Sequence, residues 1–128
     1  MVNDKKGLAV MFHSGSYDRI YLGLSIALAA SALGREARLF FTYWALEYLK
    51  KNNAPTIKFD VESKVQRMIL EKNLEKGHMQ KITELIVQLK AMEARVYVCT
   101  NSMGLLNISR DEFIEEVEET IEEYVKKV

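Results

Sequence analysis

The residue of this sequence best suited to chemistry is Cys99, its only cysteine. A β-branched and aromatic run, residues 95–98, precedes it and predicts a short buried strand. Polar residues 100–102 follow and open an apolar segment that can start a helix. Unpaired backbone N–H groups and the positive end of the helix dipole favour an anion at such a position. The pattern therefore predicts a thiol at a helix amino terminus, where a thiolate or a bound oxyanion would be stabilised.

A second stretch has the same order of strand, small polar residues and helix start. Residues 7–12 are a continuous apolar run of strand length, and a polar loop separates them from an apolar helix. Parallel strands place their carboxyl ends on one edge of a sheet, so the two loops are expected to lie side by side and form an anion pocket. The residues expected to line it are His13, Ser14, Gly15, Ser16, Tyr17, Thr100, Asn101, Ser102 and Met103. Neither loop has the GxxxxGK[ST] or GxGxxG pattern, and no cofactor or metal site is predicted.

The helix predicted from Tyr17 to Leu33 is apolar on nearly all of its faces, with Gly34 as a plausible cap at its end. A helix of this kind has to be covered on more than one side. The sheet covers one side, and a second subunit is the simplest cover for the other. The sequence therefore predicts a homo-oligomer, either a trimer or a hexamer.

Strands and helices alternate along the rest of the chain. Further strands are expected at residues 37–43, 56–59 and 95–98, and further helices at 44–51, from 61, from 79 and at 102–108. Ser109 and Glu112 have the spacing of a capping box ahead of a final helix that runs from Phe113 to Val128. The glutamates of that helix are expected to form a solvated face. This alternation predicts one α/β domain, residues 1–128, with a mainly parallel sheet.

Composition excludes several classes of protein. The chain has 128 residues, of which 48% are hydrophobic, so it can bury a core without disulfides. A single cysteine and no recognisable signal peptide indicate the reducing cytoplasm. The formal net charge is zero, with a basic main part and an acidic carboxyl-terminal region, but no basic stripe predicts nucleic-acid binding. The longest apolar stretch, residues 20–33, is shorter than the ~20 residues of a membrane span.

Two stretches are similar to a known family. They are residues 7–46, GLAVMFHSGSYDRIYLGLSIALAASALGREARLFFTYWAL, and residues 95–108, RVYVCTNSMGLLNI. The chain resembles the DsrE/DsrF-like proteins, small sulfur-relay proteins, and especially their peroxiredoxin-like branch. The resemblance implies a three-layer flavodoxin-like fold, oligomers built by packing subunit faces, and a cysteine that carries sulfur as a persulfide. Cys99 is the one position carried over as reactive, with other sulfur-relay proteins and a small sulfur-containing anion as partners.

Three functions from different classes stay open at this point. The first is sulfur transfer through Cys99, as a sulfur carrier or a sulfurtransferase. The second is a module that binds a small anion or nucleotide, and the third is a structural partner subunit; in both, Cys99 is inert and buried. A thiol peroxidase is disfavoured because the chain has no second cysteine to act as the resolving thiol. Many proteins of the family that the chain resembles close with a further apolar strand, whereas this sequence predicts a closing helix.

Overall fold

The structure is a computed structural model that describes residues 6–51 and 57–128. Four strands are present in these residues: β1 (Leu8–Phe12), β2 (Ala37–Phe41), β3 (Arg95–Val98) and β4 (Glu119–Thr120). Five α-helices accompany them: α1 (Tyr17–Ala32), α2 (Lys64–Glu75), α3 (Ile82–Ala91), α4 (Thr100–Leu106) and α5 (Ile121–Lys127). Two 3₁₀ helices, Tyr43–Leu49 and Arg110–Glu112, lie in the connections.

The described strands form one parallel sheet in the order β1-β2-β3-β4. Phe12 pairs with Phe41, and Phe41 pairs with Val98, so the carboxyl ends of the first three strands lie level along one edge. Their apolar side chains suit a parallel sheet that is covered by helices. The predicted α/β class with a mainly parallel sheet is confirmed.

The two faces of the sheet are covered differently. Helix α1 packs on the face that carries Phe12, because Gly23 lies directly against that ring, and α3 packs beside α1. Helix α5 lies on the opposite face, where the Tyr124 ring contacts Phe40 and Tyr97 at centroid distances of 5.8 and 4.7 Å. Tyr97 is fully buried there. Helices therefore lie on both sides of the sheet.

Helix α1 buries one face and exposes the other. Its buried residues Tyr17, Ile20, Leu24 and Ala27 follow helical spacing. The helix ends as predicted near Gly34, which has a φ of 83°. The N–H of Arg35 donates to the Ala30 carbonyl and that of Gly34 to the Ser31 carbonyl, which is a Schellman motif. On the opposite face, Leu22 and Ile26 are 61% and 51% exposed.

The predicted final helix from Phe113 is wrong over its first half. The capping box of Ser109 and Glu112 is present, but it caps a single 3₁₀ turn. The N–H of Ile114 donates to the Leu49 carbonyl, and the N–H of Glu118 donates to the Val96 carbonyl. Pairing with distant backbone replaces the helical hydrogen bonds of this segment, and β4 follows. Only α5 remains helical.

The strand predicted at 56–59 is reduced to one bridge between Ser16 and Lys58, and its first residue lies outside the described residues. The break predicted at Ala54 and Pro55 also lies outside them. The short helix predicted after β2 is 3₁₀, and the helix after Cys99 starts at Thr100, two residues earlier than expected.

Candidate functional site

Cys99 lies where β3 ends and α4 begins. Its N–H donates to the Phe41 carbonyl at 3.0 Å, which continues the sheet pairing by one residue. Its backbone is extended, and its carbonyl accepts the first helical hydrogen bond, from the N–H of Met103 at 3.0 Å. Cys99 thus occupies the N-cap position, but its side chain makes no capping hydrogen bond. Cys99 is partly exposed and forms no disulfide.

The carboxylate of Glu122 occupies the position beside this thiol. Its Oε1 accepts the N–H of Thr100 at 2.9 Å, and its Oε2 lies 3.9 Å from Sγ of Cys99. Helix α5 places Glu122 there because β4 pairs with β3 and α5 follows β4 directly. The start of α4 is therefore capped by a carboxylate from a distant element. Sequence analysis missed Glu122, and one glutamate among many gives no signal of this contact.

The environment of Glu122 keeps it ionised. Burial acts to raise the pKa of its carboxyl, but hydrogen bonds from Thr100, and from the N–H groups of Glu122 itself and Asn101, act in the opposite direction. The net result is a pKa below the ordinary glutamate value. Because hydrogen bonds to the charged form favour that form, a negative charge stands next to Cys99 at neutral pH.

The polar groups of the first loop of the predicted pocket, residues 13–16, mostly form hydrogen bonds within the protein. His13 is exposed, and Oγ of Ser14 accepts the N–H of Ser16 at 2.9 Å. The Gly15 carbonyl accepts the hydroxyl of Tyr48 at 2.7 Å. Ser16 is the N-cap residue of α1, although its side chain makes no capping hydrogen bond. The loop therefore holds β1, α1 and the first 3₁₀ helix together.

Tyr17 lies in the core. It is 3% exposed, and its hydroxyl donates to the Gln80 carbonyl at 2.6 Å. Burial, followed by the neighbouring Tyr21, raises the pKa of Tyr17 from 10.0 to about 12. In the second loop, Ser102 and Met103 are also buried, and the Ser102 hydroxyl has no hydrogen-bond partner among the described residues. Thr100 and Asn101 are the exposed members of that loop.

The two loops lie at the same edge of the sheet but are not adjacent. Strand β2 lies between β1 and β3, so the residues that follow it separate the two halves of the predicted pocket. Tyr43, the second residue after β2, has a φ of 47°, in the left-handed region that a tyrosine rarely adopts. Trp44 beside it is 59% exposed, with its Cβ close to Gly15. Aromatic side chains thus occupy the middle of this edge.

The glutamates of the carboxyl-terminal region are exposed or half-buried, and three of them form ion pairs. Glu118 pairs with Lys90 and Arg95, and Glu123 pairs with Arg110. Glu119 pairs with Lys127 at 2.6 Å. These ion pairs link β4 and α5 to each other and to neighbouring elements, and they help to position α5, the helix that carries Glu122.

A cavity of about 720 Å³ lies at the other end of the sheet, where α1 and α3 end and β3 begins. Charged residues of both signs line it, including Arg35, Lys90, Arg95 and Glu118. It is separate from the Cys99 edge, since it lies at the amino end of β3.

Comparisons with known proteins agree with this architecture. The family model described as DsrE/DsrF-like family matches residues 6–122. The sulfur carrier protein DsrE2 of Allochromatium vinosum is 26% identical over 141 residues, covering 90% of this chain and 87% of its own length. The uncharacterized protein YrkE of Bacillus subtilis is 23% identical over 140 residues, and the alignment covers 92% of this chain and 88% of YrkE. The crystal structure of the ychN protein from E. coli superposes with a TM-score of 0.56 at 17% identity, covering 95% of this chain and 89% of that chain.

Within the described residues, no helix combines the length and apolar character needed to cross a membrane.

Proposed function

We propose that this chain, which belongs to the DsrE/DsrF-like family, is a sulfur carrier that holds sulfane sulfur as a persulfide on Cys99. The sulfur carrier protein among its relatives supports a role in sulfur relay. The observation that carries the proposal for this chain is the position of Cys99. Cys99 is partly exposed at the carboxyl edge of a parallel sheet, the edge at which open α/β sheets bind ligands.

The reaction is a sulfane-sulfur transfer with no external oxidant. The sulfur of Cys99 attacks the terminal sulfur of a donor persulfide, R–S–SH, and forms a new S–S bond. The S–S bond of the donor breaks, and the donor leaves as a thiolate that takes the proton released by the Cys99 thiol. The products are the Cys99 persulfide and R–SH. The reverse reaction with a second thiol passes the sulfur on.

The chain has no second cysteine to turn this persulfide into an internal disulfide. The sulfur must therefore leave to another protein or to a small thiol, which is how a relay works. We include in the proposal a cytoplasmic location, where thiols stay reduced, and other sulfur-relay proteins as partners.

Intact-mass spectrometry after incubation with a polysulfide donor tests the proposal. The wild type should gain one or more sulfur masses, and a thiol reductant should remove them. Cys99→Ser should gain none. Ser102→Ala serves as a matched control because Ser102 is buried nearby and its hydroxyl has no hydrogen-bond partner in residues 6–51 and 57–128. Wild-type protein that stays unmodified, or equal modification of Cys99→Ser, would show that Cys99 does not carry sulfur.

We also propose that the protein is a homo-oligomer, a trimer or a hexamer. Helix α1 supports this, since Leu22 and Ile26, four residues apart, project exposed from the face opposite its core contacts. Burial of apolar surface contributes about 25 cal/mol per Å², so a patch of this kind favours association.

A further inference from the structure

The charge of Glu122 beside Cys99 is not neutralised within the described part of the chain. Two neighbouring glutamates are paired, Glu119 of β4 with Lys127 and Glu123 of α5 with Arg110. Across residues 6–51 and 57–128, the Glu122 carboxylate contacts the N–H of Thr100 and the thiol of Cys99 but no cationic side chain within ion-pair distance. An unneutralised negative charge therefore lies 3.9 Å from Sγ of Cys99.

This charge has two effects on the sulfur chemistry. It repels a negatively charged reactant, because like charges a few ångströms apart interact unfavourably even in water. The carboxylate also accepts the hydrogen bond of the Thr100 N–H, so this N–H at the start of α4 is not available to an incoming anion. A reactant that carries a positive charge next to its sulfur–sulfur bond is attracted by the same group.

We propose that Glu122 is a specificity-determining residue, which favours sulfur donors that present a persulfide beside a lysine or arginine side chain and slows the reaction of small anionic donors. This inference rests on the proposed sulfur-carrier function. In the encounter, the ammonium or guanidinium group of the donor pairs with Glu122 while the terminal sulfur of the donor reaches Sγ of Cys99. The partner class is thus a protein whose persulfide-bearing cysteine lies in a basic surface, and free polysulfide or thiosulfonate anions react with Cys99 more slowly than such a donor.

The selectivity can be measured with two small disulfides of opposite charge. Cystamine carries an ammonium group on each arm, and 3,3′-dithiodipropionate carries a carboxylate. Each reacts with Cys99 by thiol–disulfide exchange, which forms a mixed disulfide and releases one equivalent of the small thiol, and intact mass reports the rate. A charge about 6 Å from Glu122 changes the rate by roughly threefold in water, so the ratio of the cystamine rate to the dithiodipropionate rate should fall about tenfold in Glu122→Gln.

Two controls separate charge from structure. The glutamine oxygen still accepts the Thr100 N–H, so Glu122→Gln keeps the cap on α4 and removes only the charge. Glu123→Gln makes the same change in net charge one residue away, where the side chain faces Arg110, and should keep the wild-type ratio. Loosening of the site alone would raise both rates together and leave the ratio unchanged. Added salt should lower the ratio of the two rates in the wild type towards the ratio in Glu122→Gln, since salt screens the interaction between exposed charges.

The outcome is separable from the test of the proposed function. A wild-type protein that takes up sulfur on Cys99 but has the same rate ratio as Glu122→Gln overturns the role of Glu122 and leaves the carrier function standing. A ratio that falls equally in Glu123→Gln also overturns it, because the effect would then follow net charge. A protein that takes up no sulfur at all refutes the carrier function itself.

Discussion

Replacing Tyr17 by phenylalanine should reverse the order of stability of the two proteins between neutral and strongly alkaline pH. The Tyr17 hydroxyl is buried and donates to the Gln80 carbonyl at 2.6 Å. At neutral pH the variant loses this hydrogen bond and leaves the carbonyl without its partner, which costs about 1 kcal/mol. The wild type should therefore be the more stable protein near pH 7.

The loss of wild-type stability at alkaline pH follows from the pKa of Tyr17, which burial raises from 10.0 to about 12. The native state holds the phenolic proton more tightly than the unfolded state does. The stability that this proton contributes is thus complete below the unfolded pKa and is lost as pH rises through the folded pKa. The full difference is about 2.7 kcal/mol, of which about 1.4 kcal/mol is lost by about pH 11. Tyr17→Phe has no such loss, so the two stability curves should cross near pH 11.

Urea unfolding followed by circular dichroism over this pH range measures the free energy of unfolding of both proteins. Subtracting one stability curve from the other removes every other titration that the two proteins share. One of these is the titration of Tyr48, whose pKa is also raised by burial. Tyr43→Phe, at an exposed tyrosine, is the matched control and should stay parallel to the wild type. Parallel curves for Tyr17→Phe would refute the reasoning. They would mean that water reaches the Tyr17 hydroxyl and that it is available to line a pocket.

Two further predictions concern assembly and the support of the site. Light scattering should show that the wild-type protein has the mass of a trimer or hexamer. The double variant Leu22→Lys with Ile26→Lys should have a smaller mass, because both exposed side chains lie on the face of α1 away from the core. A wild-type monomer throughout the micromolar range would contradict the proposed assembly. Thr120→Ala should lower the free energy of unfolding by about 1 kcal/mol, because its hydroxyl caps α5 by accepting the Glu123 N–H at 3.1 Å. Thr120→Ser keeps the capping oxygen and should recover most of that stability, and equal stability of the alanine variant would exclude the capping role.

Features that depend on neighbours in sequence were predictable. The strand that delivers Cys99, and the end of α1 at Gly34, follow from local patterns of apolar residues and from the ability of glycine to adopt a positive φ. The α/β class follows from the alternation of these patterns along the chain. The similarity to the DsrE/DsrF-like family, carried by residues 7–46 and 95–108, is confirmed by a match over residues 6–122.

The segment from Phe113 to Thr120 was not predictable in the same way. Its apolar residues are spaced as in a helix, and the capping box ahead of them is real. Hydrogen bonds to the Leu49 and Val96 carbonyls nevertheless draw it into extended structure and short pairing with β3. Propensity is a weak preference that tertiary contacts override.

The sequence by itself determined that Cys99 ends a buried strand and precedes a helix, because both elements are specified by residues adjacent to it. Only the tertiary structure decided what surrounds the thiol. The order of the strands places β2 between the two loops, and the pairing of β4 with β3 places the Glu122 carboxylate at 3.9 Å from Sγ. Contacts between residues far apart in the chain depend on the packing of whole elements, and the local pattern around either residue does not contain that information.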